Sequence, residues 1–149
     1  MIAVKTLYET DFNLWLEETA VLLKQGKLER LDIENLLEEI EGMSRSEKDA
    51  VESNLIRVFQ HLLKWHYQAL KRSPSWAYTI VEHSRRLNKA FKHSPSLKRH
   101  FDAVFDECYA DACQAASVET QLSLAAFPKS CPFSESDVLE ISSDNYLVD

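Results

Sequence analysis

Val51-Glu52-Ser53-Asn54-Leu55-Ile56-Arg57-Val58-Phe59-Gln60-His61-Leu62-Leu63-Lys64-Trp65 decides the fold class. Val51, Leu55, Val58, Leu62 and Trp65 recur at steps of three and four residues, which places them on one face of an α-helix. A half-buried strand would instead alternate apolar and polar residues, and this stretch does not.

The same period extends back through Ile33, Leu36, Leu37, Ile40 and Met43, predicting a buried stripe on a helix capped by Asp32. Ser44 followed by Glu47 is a capping-box pattern that would start a new helix, whereas the unbroken period fits one long helix kinked near Gly42. The residues leave both readings open. Closer to the start, Phe12, Trp15, Leu16, Thr19 and Leu23 share one face of a helix from about Thr10 to Gln25. Thr10 would cap it, Asp11 would suit the positive end of its dipole, and Gly26 would close it.

In the other direction, Ser73-Pro74 and Ser94-Pro95 each place a serine cap before a proline at the first helical position, where the missing N–H costs nothing. The helix after Pro74 is expected to bury Trp76, Ile80, Leu87 and Phe91. The helix after Pro95 is expected to bury Leu97, Phe101, Val104, Cys108 and Ala112 and to end near Glu119. A looser tail follows through Phe127-Pro128 and Cys131-Pro132-Phe133, with a short helix over Glu135–Glu140 and a mobile end after Ser142. The resulting expectation is an all-α, single-domain helical bundle of about five helices with an irregular C-terminal tail. It covers residues 1–149, with an ordered core from about residue 8 to about residue 140.

Composition agrees. Two glycines and four prolines are too few for the turns of an all-β fold, and 149 residues bury enough surface to need neither disulfide nor structural metal. Cys108, Cys113 and Cys131 show no metal-ligand spacing, so free thiols are expected and no disulfide. No stretch nears the roughly 18 apolar residues of a membrane span. Met1–Phe12 is interrupted by Glu9 and Asp11 and lacks an apolar signal core. The expected location is the cytoplasm, without membrane attachment.

The net charge of −7 conceals three zones. Residues 1–56 carry 6 basic and 13 acidic side chains, residues 57–100 carry 10 basic and 1 acidic, and residues 101–149 carry 1 basic and 10 acidic. All 5 histidines lie in the middle zone with Trp65 and Trp76. Lys64, Trp65, Trp76 and Arg85 are therefore candidates for binding an anion or a partner. Against a nucleic-acid site stand the two acidic zones and the placement of Arg85, Arg86, Lys89 and Lys92 on the solvated back of their helix.

Glu34, Glu38 and Glu41 form one stripe beside an apolar face, and His61, His66 and His83 fall within or beside other apolar stripes. Carboxylates from one helix and histidines from others can build a bundle metal site. The candidate cluster is Glu38, Glu41, His61 and His83. No Glu-x-x-His or His-x-x-x-His occurs, so a hydrogen-bonded structural network is the preferred reading and no cofactor is expected. Cys108 belongs to a core stripe, where a thiol is inert; Cys131 precedes a proline with no histidine near it in sequence, so nucleophilic catalysis finds no support.

Six segments occur in a telling order: Tyr8-Glu9-Thr10-Asp11-Phe12-Asn13-Leu14-Trp15-Leu16-Glu17, Leu36-Leu37-Glu38-Glu39-Ile40-Glu41, His61-Leu62-Leu63-Lys64-Trp65, Ser75-Trp76, Ser94-Pro95-Ser96-Leu97 and Phe127-Pro128-Lys129-Ser130-Cys131-Pro132. Over about Tyr8 to Glu140 the chain resembles the bacterial domain-of-unknown-function family numbered twenty-nine, abundant in cyanobacteria. The resemblance implies a compact helical bundle in a bacterial cytoplasm and implies no activity. Its pattern includes the positions that here are Asp11, Trp15, Glu38, Glu41, His61, Lys64, Trp65 and Trp76.

The leading expectation is a non-enzymatic interaction or accessory module that binds another protein or itself, a homodimer included. The alternatives are a metal- or anion-dependent enzyme using the Glu/His cluster and a nucleic-acid binder using residues 57–100.

Overall fold

The computed structural model describes residues 4–149; Met1, Ile2 and Ala3, which the 1–149 reading includes, lie outside the described residues. Among the described residues there are six α-helices and no strand, as the helical period required. They are α1 (Val4–Thr10), α2 (Phe12–Lys24), α3 (Ile33–Tyr67), α4 (Pro74–His93), α5 (Leu97–Thr120) and α6 (Glu135–Leu139). No helix is long and apolar enough to cross a membrane, among the described residues.

The helix ends follow local chemistry. Asp11, not Thr10, caps α2, its carboxylate accepting the Leu14 N–H at 3.1 Å. Thr10 instead ends α1, because a helix there already uses its backbone. Gly26 turns the chain after α2 with φ +68°, a conformation glycine takes without strain. Ser73 accepts from the Trp76 N–H at 3.3 Å with Pro74 in the first turn of α4, as expected. The Ser94-Pro95-Ser96 start is displaced, since α5 begins only at Leu97 and Ser96 makes no side-chain cap. Through Gly42 and Ser44, α3 is unbroken for 35 residues, so the Ser44 capping pattern is not used.

The chain divides into two compact units, Met1–Ser46 and Glu47–Asp149. In the first, α1 packs on α2 around Tyr8, Phe12 and Trp15, with the Tyr8 and Trp15 rings edge-on at 4.9 Å. The Tyr8 hydroxyl donates to Glu39 at 2.6 Å, tying α1 to the start of α3. Leu7, Trp15, Thr19 and Leu22 are buried. The stripes expected to be buried here are largely uncovered: Phe12, Leu16 and Leu23 on α2 and Ile33, Leu37, Ile40 and Met43 on α3 are all exposed. Periodicity marks an apolar arc but not what covers it, and so few elements cannot cover two amphipathic helices on both sides.

In the second unit, Val51, Leu55, Val58, Phe59, Leu62, Leu63 and Trp65 of α3 meet Ile80 and Leu87 of α4 and Phe101, Val104, Cys108, Tyr109, Ala112, Cys113 and Ala116 of α5. Phe59 is central, its ring edge-on to Phe105 and Tyr109 and stacked on Phe133. The tail is tied down. Ser84 Oγ donates to the Val138 carbonyl at 2.5 Å and Asn88 Nδ2 to the Leu139 carbonyl at 2.8 Å, fastening α6 to α4. The end expected to be mobile after Ser142 forms a 3-10 turn over Ser143–Tyr146, and the Tyr146 ring lies 5.2 Å from that of Trp65.

Candidate functional site

The polar interior of the second unit is built around Lys64. It sits in the run Leu62-Leu63-Lys64-Trp65 near the end of α3, and its side chain is only 2% exposed. The ammonium lies 2.6 Å from Glu119 Oε1 on α5 and 4.8 Å from the centre of the Trp76 ring on α4. Gln60, one turn back, donates its amide to the other Glu119 oxygen at 2.5 Å. One buried cation thus joins three helices. Burial pushes the Glu119 carboxyl up, but the hydrogen bonds from Lys64 and Gln60 outweigh it and hold the group below its ordinary value.

His61, beside Lys64, is buried and donates Nδ1–H to the Arg57 carbonyl at 2.9 Å. Burial lowers its pKa despite that bond, and the Lys64 charge adds to the effect, so the ring stays neutral. Lys64 and Trp65 both lie in the interior, so neither belongs to an exposed docking face. Trp76 is half-buried against Lys64, and Arg85 is exposed and bonded to Glu82 at 2.7 and 2.9 Å.

The four residues of the candidate metal cluster are drawn from both units. Glu38 is exposed and pairs with Arg45 at 3.4 Å, and Glu41 is exposed. Both belong to the first unit, whereas His61 and His83 belong to the second. His83 Nδ1 lies 2.7 Å from Asn54 Oδ1 and donates to it. Among the described residues no group of three or more histidine, cysteine or acidic side chains is placed to hold a metal ion. Burial pushes the Cys108 thiol up to about 12, and it also raises that of Cys131, which disfavours the thiolate at both.

The basic zone is likewise partly occupied. Arg85 and Arg86 share Glu82, Lys98 pairs with Asp102 and Glu135 at 2.7 Å, and Arg72 donates to the Trp65 carbonyl while lying 4.7 Å over its ring.

The feature that sequence reasoning missed is the exposure of the apolar stripes of α2 and of the start of α3 in the first unit. Ile33, Leu37 and Ile40 follow one another at steps of four and three along α3, each more than half exposed. Phe12, Leu16 and Leu23, at steps of four and seven along α2, are each somewhat less than half exposed. The unit has 5 basic and 10 acidic residues, with Glu34, Glu38 and Glu41 running beside the α3 stripe. The signal that could have found it was the length of the two stripes against the few partners available. Glu119 was also missed; a charge inside Leu62-Leu63-Lys64-Trp65 implied a partner, but sequence spacing cannot say which acid of a distant helix supplies it.

Fold and sites together define an all-helical protein with a polar staple inside one unit and an uncovered apolar face on the other. The model of the family described as Domain of unknown function DUF29 matches residues 7–143. The chain belongs to that family. No curated protein and no solved structure matches the chain.

Proposed function

We propose that the protein is a non-enzymatic interaction module whose docking surface is the apolar face of α2 and the first part of α3. What supports the reading is the exposure of Phe12, Leu16, Leu23, Ile33, Leu37, Ile40 and Met43 on two helices of one small unit. Scattered exposed apolar residues are normal, but helical rows of them mark a surface that another helix covers.

The rim of that face selects the partner. Glu34, Glu38 and Glu41 beside the stripe would confront their own copies in a symmetric dimer, a like-charge arrangement that disfavours self-pairing. The partner is therefore an amphipathic helix of another protein with lysine or arginine flanking its apolar stripe.

Two synthetic helical peptides with one leucine stripe, flanked in one by lysine and in the other by glutamate, test this by fluorescence anisotropy. The lysine peptide is expected to bind with a Kd on the order of 1 µM, and the glutamate peptide at least tenfold more weakly. The double variant Leu37→Ser/Ile40→Ser keeps every charge and is expected to lose at least tenfold for the lysine peptide. Equal binding by the double variant would show mere charge attraction and overturn the proposal. So would a stable dimer of the intact protein that the same variant dissociates.

A further inference from the structure

In the second unit, the segment after α5 folds back along the helix and leaves a groove. Gln121 ends α5 in the left-handed conformation, φ +62°, and the Tyr109 hydroxyl holds the returning chain by donating to the Pro128 carbonyl at 2.6 Å. The groove has a volume of about 680 Å³, within the range of small-molecule sites. Buried Tyr109, Cys113 and Phe127 contribute to its lining together with Leu124, Ala125 and Pro128.

Two polar side chains complete the lining, Lys129 and Gln114. Lys129 is the only charged residue of the groove and the only basic residue after position 100. It is exposed and makes no hydrogen bond or ion pair among the described residues, unlike Lys64 and Lys98. The Gln114 amide is also without a partner among the described residues. Asp106 lines an adjoining recess that Lys129 also borders.

From this placement we infer that the groove binds a small amphiphilic anion, a medium-chain carboxylate, with its chain on Tyr109, Leu124 and Phe127 and its carboxylate on Lys129. The apolar walls supply burial, and the unpartnered ammonium, with the Gln114 amide beside it, supplies charge-assisted hydrogen bonds to the head group. A neutral hydroxyl would accept from the ammonium without bringing an opposite charge, and a cationic head group would set like charges together at Lys129. The inference is independent of the docking face on α2 and α3.

Decanoate, decanol and decyltrimethylammonium, each titrated into the intact protein below its micelle-forming concentration, provide the test by calorimetry and amide chemical-shift mapping. Decanoate is expected to shift resonances of residues 109–114 and 124–129 and to bind roughly tenfold tighter than decanol, with no binding of the cation. Lys129→Met should reduce decanoate to the affinity of decanol, and Ala125→Trp, which fills the groove from an exposed position, should abolish binding. Equal affinity for decanoate and decanol, retained binding in Ala125→Trp, or shifts confined to residues 12–43 would each overturn the assignment. Circular dichroism of both variants separates loss of the site from loss of the fold.

Discussion

The Lys64 ammonium, 2% exposed, is held 2.6 Å from the Glu119 carboxylate, which is itself 47% exposed. The pair is lopsided: one partner can rehydrate if the other is removed and the other cannot. Glu119→Leu would strand the buried cation and is expected to cost about 2–3 kcal/mol, the range of hydrogen bonds to charged groups. Lys64→Met removes the buried charge along with its desolvation, leaves Glu119 to water, and is expected to cost about 1 kcal/mol or less. Urea unfolding of the two variants checks the ordering, and equal losses would contradict the structure.

Three histidines make stability depend on pH in one direction. Burial lowers the pKa of His61, His66 and His83, with Lys64, Arg72 and Arg86 respectively adding to the effect. Above the unfolded value of about 6.5 both folded and unfolded forms are neutral and nothing is lost. As pH falls from there toward the lowered folded values, the unfolded chain takes up protons that the folded chain refuses, so stability falls. The melting temperature is expected to drop between pH 7 and pH 5, and His61→Gln should flatten that drop.

Within the first unit, the Trp15 indole N–H and the Thr19 hydroxyl, one turn apart on α2, are buried without a hydrogen-bond partner among the described residues. An unanswered hydroxyl costs about 1–3 kcal/mol relative to a paired one. Thr19→Val keeps the shape and removes the polar atom, so it is expected to leave stability unchanged or raise it by about 1 kcal/mol. A loss beyond 1 kcal/mol in thermal unfolding would mean that the hydroxyl has a partner.

The tail is fastened by few atoms, which makes its attachment testable. Ser84→Ala deletes the bond from α4 to the Val138 carbonyl while Val138 stays a fully buried apolar anchor. The expected cost is about 1–2 kcal/mol, with hydrogen-exchange protection lost first over residues 135–146 and retained in α3 and α5.

The helices, and the cap at Ser73 though not those expected at Thr10 and Ser44, were legible because their causes are local. Ser73-Pro74 carries its own cap, and the 51–65 stripe carries its own period. The start of α5 at Leu97 was not, since the Ser94-Pro95-Ser96 turn competes with a helical first turn and local preference does not choose between them. Of the candidate residues, His61, Lys64 and Trp76 do share a neighbourhood, because i, i+3 spacing on α3 fixes two of them. Glu38 and Glu41 precede His61 on the same helix, with nineteen residues of α3 between Glu41 and His61. Side chains meet across helices only where the chain returns, and sequence does not display that return.

The same limit explains why Ile40 and Leu55, alike in sequence, differ in the folded chain. Both lie on the apolar period of α3, yet Ile40 is 53% exposed and Leu55 is fully buried. Leu55→Ala is therefore expected to cost about 2–5 kcal/mol, the range for a truncated core leucine. Ile40→Ala should stay within about 0.5 kcal/mol, as surface substitutions do. A large loss for Ile40→Ala in the isolated protein would mean that its face is already covered, which would remove the ground for a docking surface. A negligible loss there, joined to weakened binding of the lysine-flanked peptide, would separate what holds the chain together from what it presents to a partner.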